Sequence, residues 1–194
     1  MILGIAALTT FYAACNNSTA DKKESNTAPP TAAPVDTASK PVTAVAETKT
    51  IISLQEIVDG YLQMKNAFTK DNSKDAAAAG NELIKALANF NKAALTAEQA
   101  KIYNDIEDDA KEHAEHIGTN GGNIKHQREH FYMLSKDIYQ LVKTFGAGKK
   151  LYYDHCPMYN DGKGANWLSE TKDISNPYLG KAMPSCGTVK EELK

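Results

Sequence analysis

IKHQREHFYMLSKDIYQLVKTF, residues 124–145, decides the fold. Ile124, Gln127, Phe131, Leu134, Ile138, Leu141 and Phe145 recur every three to four residues. That spacing puts them on one stripe of a helix and demands partners to cover the stripe. The pattern runs as far as Gly146, a residue type that stops helices.

Upstream, three more segments carry the same signature. Leu54, Ile57, Val58, Tyr61, Leu62 and Phe68 recur at helical spacing, with Ser53 as an expected N-cap and Glu56 three residues on. A second helix is expected from about Lys74 to Ala93, with Ala76, Gly80, Leu83, Ile84, Leu87 and Phe90 on one face. Thr96, followed by Glu98 and Gln99, opens a third, whose core face reads Ile102, Ile106, Ala110, His113 and Ile117. GTNGGN, residues 118–123, then breaks the chain. Four amphipathic helices with short connections predict an all-α fold, an antiparallel up-down-up-down four-helix bundle. No strand-like alternation of any length and no internal repeat appear.

Beyond Gly146 the helical period ends. Residues 147–187 are rich in Gly, Asn, Asp, Pro and Tyr and hold the only tryptophan, Trp167. Tyr152, Tyr153, Tyr159, Trp167, Leu168 and Tyr178 need somewhere to bury. An irregular C-terminal segment is therefore expected to pack on the bundle, built of short helical or turn pieces.

At the other end, MILGIAALTTFYAAC (1–15) is apolar, too short to span a bilayer, and reads as a signal peptide. Ala13-Ala14-Cys15 resembles a bacterial lipobox, although Tyr12 stands where Leu is usual and no positive n-region precedes it. The expectation is lipidation of Cys15 and a membrane-anchored lipoprotein of the bacterial cell envelope, facing the periplasm or the surface. Plain signal cleavage with Cys15 as an ordinary thiol is the alternative. Residues 16–50 contain no Leu, Ile, Met or aromatic residue and read as a disordered tether. The domain is then 51–194. The chain has 194 residues and a formal charge of −2, so it offers no electrostatic footprint for nucleic acid.

Without Cys15, two cysteines remain, Cys156 and Cys186. In an oxidising compartment a pair first suggests a disulfide, which would stabilise the segment by roughly 2–4 kcal/mol. The same residues admit a second reading. Cys156-Pro157-Met158 and Met183-Pro184-Ser185-Cys186 are two thiol–thioether pairs. Such soft donors select Cu(I) or Ag(I) over Mg²⁺ or Ca²⁺. Spacing alone leaves the two readings level.

Four of the five histidines lie around GTNGGN: His113 and His116 at i, i+3, and His126 and His130 at i, i+4. Imidazole suits copper and zinc, and His116 and His130 are the candidate ligands. His113, on the apolar stripe, reads as a core histidine, and His126 falls on the solvent side of the heptad. HQREH, residues 126–130, also has the form H-x-x-E-H, with Glu129 as a general base, but nothing downstream resembles the scaffold of such zinc hydrolases. NDGKGAN lacks the ending of a phosphate loop, and GxSxG is absent, so no enzyme activity is expected. His130 to Phe145 spans roughly 22 Å as helix, and Gly146 to His155 can cover roughly 30 Å extended. The tail is thus long enough to double back and bring Cys156 near His116 or His130.

QREHFYMLS, followed by HCPM, GKGANWLS, ISNPYLG, M and CG, resembles an envelope domain family of unknown function. Its members occur as stand-alone bacterial lipoproteins and as a C-terminal module of periplasmic adaptor subunits of copper/silver (RND-type) efflux pumps. The resemblance covers about residues 51–192. It places Cys156 and Met158 in the C-P-M block, Met183 and Cys186 in the M…C-G block, and His116 and His130 at the histidine positions. Tyr159 stands where the family commonly has Ala. The resemblance implies heavy-metal handling without catalysis: Cu(I) first, Ag(I) or Zn(II) next, with an efflux adaptor or a metal donor or acceptor protein as partner.

Overall fold

The computed structural model describes residues 53–194. The signal peptide, the lipidation of Cys15 and the tether lie outside the described residues. Four helices follow one another: α1 (Gln55–Thr69), α2 (Ser73–Asn89), α3 (Ala97–Thr119) and α4 (Ile124–Phe145). Their contacts make each consecutive pair antiparallel. Tyr103, early in α3, donates its hydroxyl to Leu87 O late in α2 at 2.9 Å. Late in α3, Ala114 and Gly118 lie against Gly80 of α2. Tyr103 also meets Phe145 at the end of α4, whereas His113 meets His130 near its start. Between α1 and α4, Tyr61 hydrogen-bonds Ser135 while Phe68 reaches Arg128. The expected up-down-up-down bundle is the helical part of the fold.

Local chemistry explains most boundaries. Thr96 and Gln99 form the reciprocal capping box that opens α3. Asn72 and Asn123 accept the amides of Asp75 and His126 at the starts of α2 and α4. Ser53 does not cap as expected: α1 starts at Gln55, the cap position is Leu54, and Ser53 Oγ accepts only from Gln55 N. The second helix stops at Asn89 instead of near Ala93, and a 3₁₀ turn, Lys92–Ala94, follows. Phe90 leaves helical conformation there, with ψ 130°, and its ring stacks on Tyr103 at 4.3 Å. Tertiary stacking, not propensity, ends α2. Gly80 lets α2 and α3 approach closely, since a Cβ there would lie 2.9 Å from Ala114 O.

The all-α expectation is corrected by the C-terminal segment. It forms a three-stranded antiparallel sheet of β1 (Leu151–Cys156), β2 (Ala165–Ser169) and β3 (Thr188–Leu193), in the order β2-β1-β3. Asp154 pairs with Trp167 and Cys156 with Ala165 across β1 and β2. β1 and β2 show no alternation because both of their faces are covered, whereas β3 alternates exposed with half-buried positions over only six residues. On one face Asp154, Cys156, Ala165, Trp167 and Ser169 are all buried. On the other, Leu151 and Leu168 are buried and Tyr153 stacks on Tyr139 of α4 at 3.9 Å. Half-buried and buried positions then follow one another without a polar side.

β2 packs on α4 and α1. A buried polar knot joins the layers. Tyr61 and Ser135 share a hydrogen bond of 2.8 Å, and Leu168 N donates to the Tyr61 hydroxyl. The Tyr178 hydroxyl donates to Asn166 O at 2.6 Å and lies 3.2 Å from Ser135 Oγ. Arg128 locks the tail from the side, donating to Pro177 O, Phe68 O and Asp71. Among the described residues no helix is long and apolar enough to cross a membrane.

Candidate metal centre

The hairpin of α3 and α4 brings the histidines together at its closed end. His116, His126 and His130 each offer a ring nitrogen, all within 4.8 Å of one another. His116 and His130 stack face to face, 4.0 Å apart and 3° from parallel. His126 meets His130 edge-on at 4.6 Å. His113 stands behind them, its Nδ1 3.3 Å from His130 Nδ1.

Burial, reinforced by the neighbouring charges of His116, His126 and His113, pushes the His130 pKa down to about 4. At neutral pH it is an unprotonated imidazole with a free lone pair, the form a metal needs. Burial lowers the His113 pKa as well. Ligands on a tetrahedral ion with metal–nitrogen bonds of about 2.0–2.1 Å lie roughly 3.3 Å apart. To hold an ion the parallel His116 and His130 rings must tilt so that their lone pairs converge. His116, with 44% of its side chain exposed, is free to make that movement.

The heptad position of His126 points to solvent, yet the residue belongs to this cluster. The signal that could have found it is its i, i+4 spacing to His130, which overrides the position on the stripe. His113 is half-buried rather than core; Ala114 and Tyr103 take the buried positions of α3 instead. In the H-x-x-E-H string, Arg128 serves the tail clamp, while Glu129 is exposed, 3.6 Å from His126 Nδ1.

The sulfur residues gather elsewhere. Cys156, at the end of β1, is buried, and its Sγ lies 2.6 Å from Sγ of half-buried Cys186. Contact with Cys156, then burial, raises the pKa of Cys186. Cys186 is held by a turn to Met183 O and by Asn176, which donates to its carbonyl at 2.7 Å. A Cβ on Gly187 would stand 2.8 Å from the Trp167 ring, so the chain passes the indole only with glycine there. Met158 and Met183 are 59% and 44% exposed. The structure thus brings the two cysteine sulfurs together and leaves Met158 and Met183 exposed.

The tail does double back along α4, as its length allows. Tyr153 meets Tyr139, and six residues later Tyr159 meets Tyr132, 6.3 Å between centroids. It returns along the wrong face for a shared site. At about 100° per residue, Tyr132 and Tyr139 project roughly opposite His130. The imidazole cluster includes neither cysteine. Two donor sets result: imidazoles in the α3–α4 groove, and sulfurs at the sheet.

Residues 57–150 match the family described as Protein of unknown function (DUF3347). The match covers the four helices and stops just before β1, so it contains the histidine cluster and excludes the sulfur segment. It agrees with the resemblance drawn from the sequence motifs. No curated protein and no solved structure matches the chain.

Proposed function

We propose, on the premise that residues 57–150 carry this family's helical domain, that the protein is an envelope-anchored heavy-metal binder. It takes up copper and either buffers it or hands it to an efflux adaptor or another carrier protein. The observation that carries this reading is the trio of ring nitrogens of His116, His126 and His130 within 4.8 Å. Imidazoles accept Cu(I), Cu(II) or Zn(II). The Cys156–Cys186 pair, with Met158 and Met183 at its rim, adds a softer site for Cu(I) or Ag(I). Metal would pass between them by ligand exchange or through a partner. The protein would act as a carrier and not as a catalyst, anchored through Cys15.

A second reading has its own support. The adjacent sulfurs, 2.6 Å apart, also suit a disulfide-stapled interaction module that holds no metal. Thiol labelling of the protein as purified, without added reductant, and its titration with Cu(I) and, separately, with Zn(II) test the choice. The metal reading expects zinc to be lost in His116→Ala/His130→Ala, and Cu(I) to be weakened in Cys156→Ser/Cys186→Ser. Failure of the wild-type chain to take up either ion, together with two thiols that resist labelling, would leave the interaction module.

A further inference from the structure

Behind the imidazole cluster the α3–α4 groove continues as a polar column. His113 presents Nδ1 to His130 Nδ1 at 3.3 Å and Nε2 to Asp137 Oδ2 at 4.0 Å. Asp137 Oδ2 is buried and has no hydrogen-bond partner. The adjacent cation does not serve it: the Lys136 ammonium sits over the Tyr132 ring at 4.0 Å. The groups facing Asp137 are His113 and Asp109 from α3 and Lys136 from its own helix. An orphaned carboxylate oxygen aimed at a histidine whose other nitrogen meets a candidate ligand has the form of an outer-shell partner.

We propose that His113 and Asp137 are positioning residues that set which nitrogen His130 offers to a cation. The inference rests on the reading of the cluster as a metal site. With Asp137 ionised, His113 donates Nε2–H to the carboxylate and accepts at Nδ1. His130 then keeps its proton on Nδ1 and presents a bare Nε2 to the metal. With Asp137 protonated, the chain runs in reverse: carboxyl O–H to His113 Nε2, His113 Nδ1–H to His130 Nδ1, and the His130 proton on Nε2, where it blocks the ion. The first arrangement holds two protons and the second three, so loading expels one proton to solvent through Asp137. The 4.0 Å gap is about 1 Å beyond a hydrogen bond and closes by rotation of the carboxylate or through one water.

Nitrogen NMR of the ¹⁵N-labelled full chain reads the tautomer directly. The expected result is His130 protonated on Nδ1 at about pH 8 and on Nε2 at about pH 5.5. In Asp137→Asn the switch is abolished, and His113→Gln, which cuts the column, loses it too. Zinc affinity of the wild type should fall about tenfold more than that of Asp137→Asn over the same range. A His130 proton that stays on one nitrogen in the wild type, or that moves equally in Asp137→Asn, overturns the proposal. A wild-type chain that switches tautomer but binds no zinc overturns the metal reading and leaves the positioning role standing.

Discussion

Asp154→Asn should gain stability relative to the wild type as pH rises from acid to alkali. Asp154 is fully buried in β1, opposite Trp167, and neither of its carboxylate oxygens has a partner. Burial raises its pKa from 3.8 to about 7, against a smaller opposing pull from Lys65. In the unfolded chain the carboxyl ionises at its ordinary value, whereas in the fold it holds its proton much longer. Sign follows from that order: the folded state is favoured below the unfolded pKa and loses ground as pH rises towards 7. The difference of roughly 3 units corresponds to about 4 kcal/mol at full ionisation. Linkage then gives a wild-type deficit of about 0.2 kcal/mol near pH 3.5, about 1.7 near pH 5 and about 4 near pH 8.5. Asn cannot ionise, so the variant escapes this cost. Its amide adds a pH-independent offset of about 1–3 kcal/mol if its donor stays unpaired. The slope of the difference with pH is therefore the diagnostic quantity. Urea melts of both proteins at the three pH values, followed by circular dichroism, measure it. In thermal terms the slope amounts to roughly 10–15 °C between the acid and alkaline ends. A difference that stays flat from acid to alkali would refute the burial of an uncompensated carboxylate.

Tyr178→Phe should cost about 1–3 kcal/mol, because it removes the donor to Asn166 O and loosens the buried knot at Ser135; thermal melts read the loss. Arg128→Ala removes the donor to Pro177 O, Phe68 O and Asp71, and hydrogen exchange should accelerate in residues 176–182 before the bundle itself opens. Gly80→Ala should destabilise by more than about 1 kcal/mol, since its Cβ meets a backbone carbonyl and not a yielding side chain. His130 carries the opposite pH sign to Asp154. Its depressed pKa takes stability away as pH falls from about 6.5 towards 4, and His130→Gln should flatten that part of the profile in acid-unfolding curves.

How much of the fold could be read from the chain depended on where the physics is local. The stripe on Ile124–Phe145 and the capping box at Thr96 act within one helix, and the structure contains both as expected. β1 and β2 are illegible because strands covered on both faces show no alternation and carry the polar Asp154 and Asn166, and β3 because its alternation spans only six residues, most of them polar or charged. Those polar positions are explained by contacts outside their own strand: Asp154 faces Lys65 of α1, and Asn166 Oδ1 meets His155 Nδ1 at 2.8 Å. The same split divides the candidate site. Helical spacing put His113 with His116 and His126 with His130, and a short antiparallel hairpin left little choice but to bring the pairs together. It did not reveal that His113 turns its far nitrogen to Asp137.

The sequence by itself determined four helices, their antiparallel order, the family resemblance and the donor types, because periodicity, caps and breaks are encoded within a few residues. Only the tertiary structure decided where the tail returns. Chain length permits Cys156 to reach either side of α4, and the choice rests on the Tyr61–Ser135–Tyr178 knot and the Arg128 clamp. These long-range contacts hold the sheet against α1 and α4, and so keep the sulfurs and the imidazoles on opposite faces of one helix.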